Sequence, residues 1–148
     1  MKNMNIEISA DLDKLKIKDI QSMLSKVWWS PGITADEIQK GIRNSALVVG
    51  AYLNNQSQVG FLRVISDKVR FAYIMDVVIE ESMRRKGLGQ AMVQFALAHP
   101  ELKDVYQWLL RSRDAPGVYE KCGFQKLQNP EWWMSMIKSR PDRKNFKG

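Results

Sequence analysis

The chain has 148 residues and a formal charge of +7, with 45% hydrophobic and 26% charged residues. These values fit one globular domain, large enough to bury about 70% of its unfolded surface. No apolar run approaches the roughly 20 residues that a helical membrane span needs, and one cysteine (Cys122) with one histidine (His99) leaves neither an internal disulfide nor a Cys/His metal cluster.

The charge is unevenly placed. Residues 138–148 hold five cations and one acid, so the rest of the chain carries +3. With almost nothing apolar to bury, that stretch is expected to be a flexible basic tail behind a single domain over residues 4–137. Polyanion binding by the tail is the alternative, and nucleic acid is not favoured as a partner of the domain. The N-terminal MKNMNIEISADLDK lacks the apolar core of a secretory signal, so the expected location is the cytoplasm.

In chain order, NIEISA alternates as a short strand. DLDKLKIKDIQSMLSKVW places Leu12, Leu15, Ile20, Met23, Leu24 and Val27 at helical spacing. WWSPGIT breaks the pattern at Pro31 and Gly32. Thr34 with Glu37 three positions on predicts a capping box for the helix ADEIQKGIRNS. ALVVGAYL and VGFLRVIS predict a hairpin, and VRFAYIMDVVIE, apolar on both faces, predicts a central strand. GLGQAMVQFALAHP is a helix that stops at Pro100, DVYQWLL a strand, and APGVYEKC a short helix. Asp114 is offered as the N-cap of that helix and Gly123 as its left-handed C-terminal cap. FQKL and WWMSMIK predict two final strands. The result is an α/β domain with a mixed sheet of about six to seven strands and about four helices.

The segment EESMRRKGLGQAMV has a chemical meaning of its own. A strand that feeds a glycine-containing loop and then a helix aims several unpartnered backbone N–H groups at one spot, where the helix dipole adds positive potential. Gly87 and Gly89 remove the Cβ atoms that would hold an anion away, and Arg84, Arg85 and Lys86 add countercharge. Such a corner binds phosphate. The pattern is neither a nucleotide P-loop nor a dinucleotide fingerprint.

MDVVIEESMRRKGLGQAMV resembles the cofactor segment of the GNAT superfamily of N-acetyltransferases, [Q/R]-x-x-G-x-[G/A], through Arg84, Gly87 and Gly89. APGVYEKCGFQKL resembles that family's second landmark through Ala115, Tyr119, Glu120, Lys121, Gly123 and Phe124. The resemblance implies the GNAT fold and an acetyl-CoA-dependent transfer to a primary amine by direct attack, with no metal. It implies that Arg84, Arg85, Lys86, Gly87, Leu88, Gly89 and Gln90 hold the pyrophosphate. Val78, Ile79 and Glu80 would run beside the pantetheine arm, and a main-chain N–H near Val78 or Ile79 would receive the oxyanion. A bulge would splay that strand from DVYQWLL.

Tyr119 matches the family's general acid. Many members carry Asn where this chain has Ser112, so that cofactor contact rests on a hydroxyl instead. Asp76 is the only charge inside FAYIMDVVI, and a carboxylate there needs a partner or a raised pKa. It is a candidate base through water, an anchor for a cationic acceptor, or the holder of a neighbouring turn. Glu80 and Glu81 are weaker base candidates, and His99 lies at the far end of the helix. Trp28 and Trp29 stand in the loop that the resemblance places over the acceptor, where they could roof an apolar or cationic amine; a domain contact or a homodimer contact is the other reading. The alternatives in function are a non-catalytic acyl-CoA-binding module and a polyanion binder.

Overall fold

The computed structural model describes residues 5–54 and 56–139. It contains β1 (Ile6–Ser9), α1 (Ile17–Ser25), α2 (Ala35–Arg43), β2 (Leu47–Leu53), β3 (Ser57–Ser66), β4 (Phe71–Ile79), α3 (Leu88–Leu97), β5 (Gln107–Leu109) and α4 (Pro116–Glu120). Lys138 and Ser139 are exposed, while the remainder of the expected basic tail lies outside the described residues.

The sheet runs β1-β2-β3-β4-β5. The first four strands are antiparallel neighbours, and β5 joins β4 in parallel. Five strands form among the described residues, not the six or seven expected. Gln125–Lys138 contribute none, and β5 keeps only three residues of DVYQWLL. FQKL and WWMSMIK have the composition of strands, but a ladder needs a paired backbone neighbour, and neither segment pairs with the free edge of β5.

The first helical segment is also shorter than its periodicity suggests. Asp11 caps a single 3-10 turn at Leu12–Lys14, and the chain is extended at Leu15 before α1 begins. Tertiary hydrogen bonds impose this break: Lys16 N–H donates to Gln58 Oε1 at 2.9 Å, and Gln58 N–H donates to Asp19 Oδ2 at 3.0 Å. The capping box of α2 forms as expected, with Glu37 N–H donating to Thr34 Oγ1.

Helices cover both faces of the sheet. Leu88, Met92, Val93 and Ala96 of α3 pack with Val49, Leu62, Val64, Ala72 and Ile74 on one side. On the other, Ile20, Met23, Leu24 and Ile38 of α1 and α2 pack with Val48, Phe61 and Val78. In a regular strand Ala72, Ile74 and Val78 would share one face, since side chains alternate with period two. They do not. Asp76 and Val77 of β4 together face the single Leu62 of β3, and this bulge reverses the alternation. The second half of β4 is thereby turned over.

One core side chain is not satisfied. The Tyr52 hydroxyl is buried without a hydrogen-bond partner among the described residues. Burial, then the charges of Asp11 and Glu7, push its pKa up to about 12. An orphaned buried hydroxyl costs about 1–3 kcal/mol, so Tyr52→Phe is expected to hold or raise the melting temperature at neutral pH. Above pH about 10, where an unfolded tyrosine ionises, the unfolded chain loses a proton that the native chain keeps. Stability therefore falls as pH rises from there toward the native pKa, and the variant lacks this part of the alkaline slope. Thermal melts of both proteins across neutral and alkaline pH check this; a variant several degrees less stable at neutral pH would show that the hydroxyl has a partner.

Candidate active site

β4 and β5 start side by side and then part. Their ladder covers Phe71–Tyr73 against Gln107–Leu109 and ends there, just before the bulge at Asp76. Asp76 has φ 57°, in the left-handed region where a non-glycine residue is uncommon. Beyond it, Glu80 N–H donates to the Val59 carbonyl at 2.8 Å. Main-chain direction alternates along an antiparallel strand, so Val78 faces β3 while the N–H and carbonyl of Ile79 face the side that β5 has left open. The Ile79 carbonyl accordingly accepts from the Arg84 guanidinium at 3.1 Å. Of the two expected donors, Ile79 is the one turned into the slot.

The loop at the end of the slot is built from backbone. After the turn Glu81–Met83, Arg85 (φ 63°) and Gly87 (φ 81°) are both left-handed, and Gly87 is the N-cap of α3 with no side-chain cap. The N–H groups of Leu88, Gly89 and Gln90 therefore have no intrahelical acceptor. Arg84, Arg85 and Lys86 stand exposed around them.

The two glycines differ in kind. Gly87 answers to its positive φ. Gly89 has no such need: a Cβ there would meet only Val118 Cγ1 at 3.9 Å and Ile79 Cγ1 at 4.0 Å, which are ordinary contacts. Glycine in a helix costs up to about 1 kcal/mol against alanine, and the protein's own packing gives no reason for it here. The same two distances show that β4, α3 and α4 converge at this corner.

Tyr119 lies on α4, next to Val118. Its ring packs on the core and meets Phe124 edge to face at 6.4 Å. Burial, then the neighbouring Cys122, raise its pKa above the usual tyrosine value, so the phenol holds its proton at neutral pH. Cys122 is a thiol for the same reason, since burial raises its pKa as well. Its sulfur points at the carbonyls of Gln90 (3.8 Å) and Val118 (3.6 Å), which ties α4 to the first turn of α3.

Asp114 does not cap α4. It pairs with Arg113 at 2.9 Å, and the N-cap is Ala115, without a side-chain cap and followed by Pro116. Ser112 takes over the turn, its Oγ accepting from Ala115 N–H at 3.1 Å. Gly123 is left-handed, as expected of a residue ending α4.

The loop between α1 and α2 reaches the bulge. Trp29 Nε1 donates to Asp76 Oδ1 at 3.3 Å, and Arg63 Nε donates to Asp76 Oδ2 at 2.8 Å. Both carboxylate oxygens are thus engaged, in a pair whose side chains are only 18% and 11% exposed. A cavity of about 20 Å³ beside the pair, bounded by Glu37, Phe61, Arg63 and Asp76 among others, has room for one water. Trp28 stacks edge to face on Trp29 and carries the Arg113 guanidinium over its ring at 4.4 Å. This loop thus spans from β4 to the chain just after β5.

Arg63 and Arg113 were absent from the sequence-derived candidates. Arg63 had a signal: it is the lone charge in VGFLRVIS, as Asp76 is in FAYIMDVVI, and two isolated opposite charges in neighbouring strands should pair. Arg113 had none. Glu80 accepts from both Ser82 N–H (2.9 Å) and the Ser82 hydroxyl. Those hydrogen bonds lower its carboxyl below the usual range, which makes it a poorer base. His99 accepts from Glu101 N–H at the far end of α3. No group of three metal-binding side chains occurs among the described residues, and none of their helices is long and apolar enough to cross a membrane.

Comparison with known proteins places this geometry. The profile of the acetyltransferase (GNAT) domain matches residues 44–126. A candidate acetyltransferase of Gibberella zeae is 30% identical over 106 residues, and the match spans 59% of each chain, so about three fifths of that curated relative. The crystal structure of a candidate GNAT-family acetyltransferase from Xanthomonas campestris pv. campestris superposes with a TM-score of 0.83 at 32% identity, covering 90% of this chain and 94% of that one. Glucosamine-6-phosphate N-acetyltransferase from Arabidopsis thaliana shares the fold, with a TM-score of 0.66 at 20% identity over 91% of this chain and 98% of that one.

Proposed function

Because the chain belongs to the GNAT family of acetyltransferases, we propose that it moves an acetyl group from acetyl-CoA to a primary amine, in the cytoplasm, by direct attack within a ternary complex. The observation that carries this reading is the convergence at Gly89 of an open strand edge, an uncapped helix start and the helix bearing a neutral phenol. The N–H groups of Leu88, Gly89 and Gln90, with Arg84, Arg85 and Lys86, hold the pyrophosphate. The main chain of Val78, Ile79 and Glu80 runs beside the pantetheine, and Ser112 offers its hydroxyl proton to the cofactor from the facing loop.

Three chemical tasks follow. The Ile79 N–H stabilises the tetrahedral oxyanion, a role usually worth several kcal/mol in a dry site. Tyr119 gives its proton to the departing thiolate. Asp76, with both oxygens engaged, fixes Trp29 over the acceptor mouth; relay of the amine's proton through a water is its other candidate task, and the two are separable by pH profile. Trp28 and Trp29 roof the acceptor.

A thiol-release assay with acetyl-CoA and a panel of amines tests the proposal, with amine-dependent release expected for at least one acceptor. In that assay Trp28→Ala and Trp29→Ala should raise the amine's apparent KM several-fold while acetyl-CoA affinity is kept. Stabilisation by acetyl-CoA without turnover on any amine would instead make the protein a non-catalytic acyl-CoA-binding module. Neither stabilisation nor turnover would overturn both readings.

A further inference from the structure

Arg63 is the only charge in β3, and it shares with Phe61 the strand face that α1 and α2 cover. It meets Asp76 inside that layer. A buried ion pair can often be exchanged for apolar side chains without loss of stability, so folding alone does not account for this one.

The helix above is shaped around the guanidinium. Gly41 lies within α2, where glycine is less favourable than alanine. A Cβ on Gly41 would stand 3.3 Å from Arg63 Cζ and 3.4 Å from Nη1, tighter than ordinary contact. The guanidinium thus rests on the helix where a side chain is missing. Ser45 Oγ, which donates to the Gly41 carbonyl at 2.7 Å, lies 3.5 Å from Arg63 Nη1. With α2 against this side, Arg63 Nε is directed to Asp76 Oδ2 at 2.8 Å.

Asp76 is the strained point of the slot. A left-handed aspartate inside a strand persists only where its surroundings over-determine it, and here its carboxylate is held from two directions, by Arg63 and by Trp29 Nε1. Among the described residues no hydrogen bond joins Arg63 to Trp29 directly, so the carboxylate is their link. We infer that Arg63 is a positioning residue. Braced on Gly41, it sets through Asp76 both the bulge that aims the Ile79 N–H and the indole that roofs the acceptor. The role, though not the geometry, rests on the acetyl transfer proposed above.

The geometry is tested without turnover. In two-dimensional NMR spectra of nitrogen-labelled, ligand-free protein each of the five tryptophans gives one indole N–H signal, and Trp29→Phe identifies its own. Arg63→Met should shift the Trp29 signal and speed the exchange of its hydrogen with water, while the signals of Trp108, Trp132 and Trp133 stay. Arg63→Met leaves a buried carboxylate unpaired and can lose the fold. Gly41→Ala is the milder variant: its methyl presses on the guanidinium and improves helix propensity. It should move the same signal, and a Trp29 signal that Gly41→Ala leaves in place overturns the inference.

Kinetics test the role. With an accepted amine, Arg63→Met should lower kcat ~10- to 100-fold, as misplacing groups by about 1 Å does. The amine's KM should rise several-fold, and the rise in melting temperature with acetyl-CoA should be kept. In a cycle with Trp29→Phe the two effects on KM should fall short of multiplying, because both residues act through one carboxylate. Independent effects, or loss of acetyl-CoA binding in Arg63→Met, overturn the inference. If no amine is turned over, the transfer reading falls, and the role of Arg63 falls with it; the indole signals then report the brace alone.

Discussion

Gly89→Asp is expected to abolish the rise in melting temperature that acetyl-CoA gives the native chain. At a hundred times its Kd a ligand stabilises by about 2.7 kcal/mol, which for a domain of this size is a shift of about 5 °C or more. The aspartate places a side chain over the loop amides and a negative charge where the pyrophosphate is to lie. Gly89→Ala separates the two causes. A methyl group there meets only ordinary contacts and improves helix propensity, so the ligand-free melting temperature should stay or rise while the ligand-induced shift shrinks. Titrating acetyl-CoA against thermal melts of the three proteins checks this. An undiminished shift in the aspartate variant would remove this loop from cofactor binding.

Tyr119→Phe removes one hydroxyl and keeps the ring that meets Phe124. General acid catalysis is typically worth about 10²–10⁴ in rate, and water can partly replace the donor, so kcat should fall at least ~10-fold with acetyl-CoA affinity nearly unchanged. Pre-steady-state kinetics should confirm that chemistry limits the rate; wild-type turnover under that condition would end the assignment. The pH profile of Asp76→Asn is the companion measurement. If Asp76 relays the proton, the acidic limb of kcat/KM disappears. If it positions Trp29, the limb stays and the amine's KM rises.

Much of this arrangement was legible in residue order. The spacing of Arg84, Gly87 and Gly89 before an apolar helix located the left-handed loop and the uncapped start of α3, because helix termini and left-handed turns leave short-range signatures. The capping box at Thr34 and the left-handed Gly123 were legible for the same reason. What escaped was set by contacts distant in sequence. The break before α1 comes from hydrogen bonds to Gln58, some 40 residues away. FQKL and WWMSMIK have strand composition, yet pairing depends on a neighbour that composition does not specify. Ser112 displaced Asp114 at the start of α4 because Arg113 holds the aspartate. Even the bulge, expected from the family resemblance, conceals its larger effect: an alternation count along β4 goes out of phase at Asp76.

The strand order β1 to β5 is also the order of synthesis. Each strand finds its partner in the one made just before it, across short turns from β2 to β4, with α1 and α2 intervening before the first pairing and α3 before the last. From β2 to β4 such adjacency keeps the closing loops short, the condition under which sheets form fastest. The buried residues of both cores, apart from Leu102 and Val105, and the loop that opens α3 are present by the time α3 has been made. Tyr119 arrives more than twenty residues later. The loop proposed to hold the cofactor is thus born before the tyrosine proposed to use it.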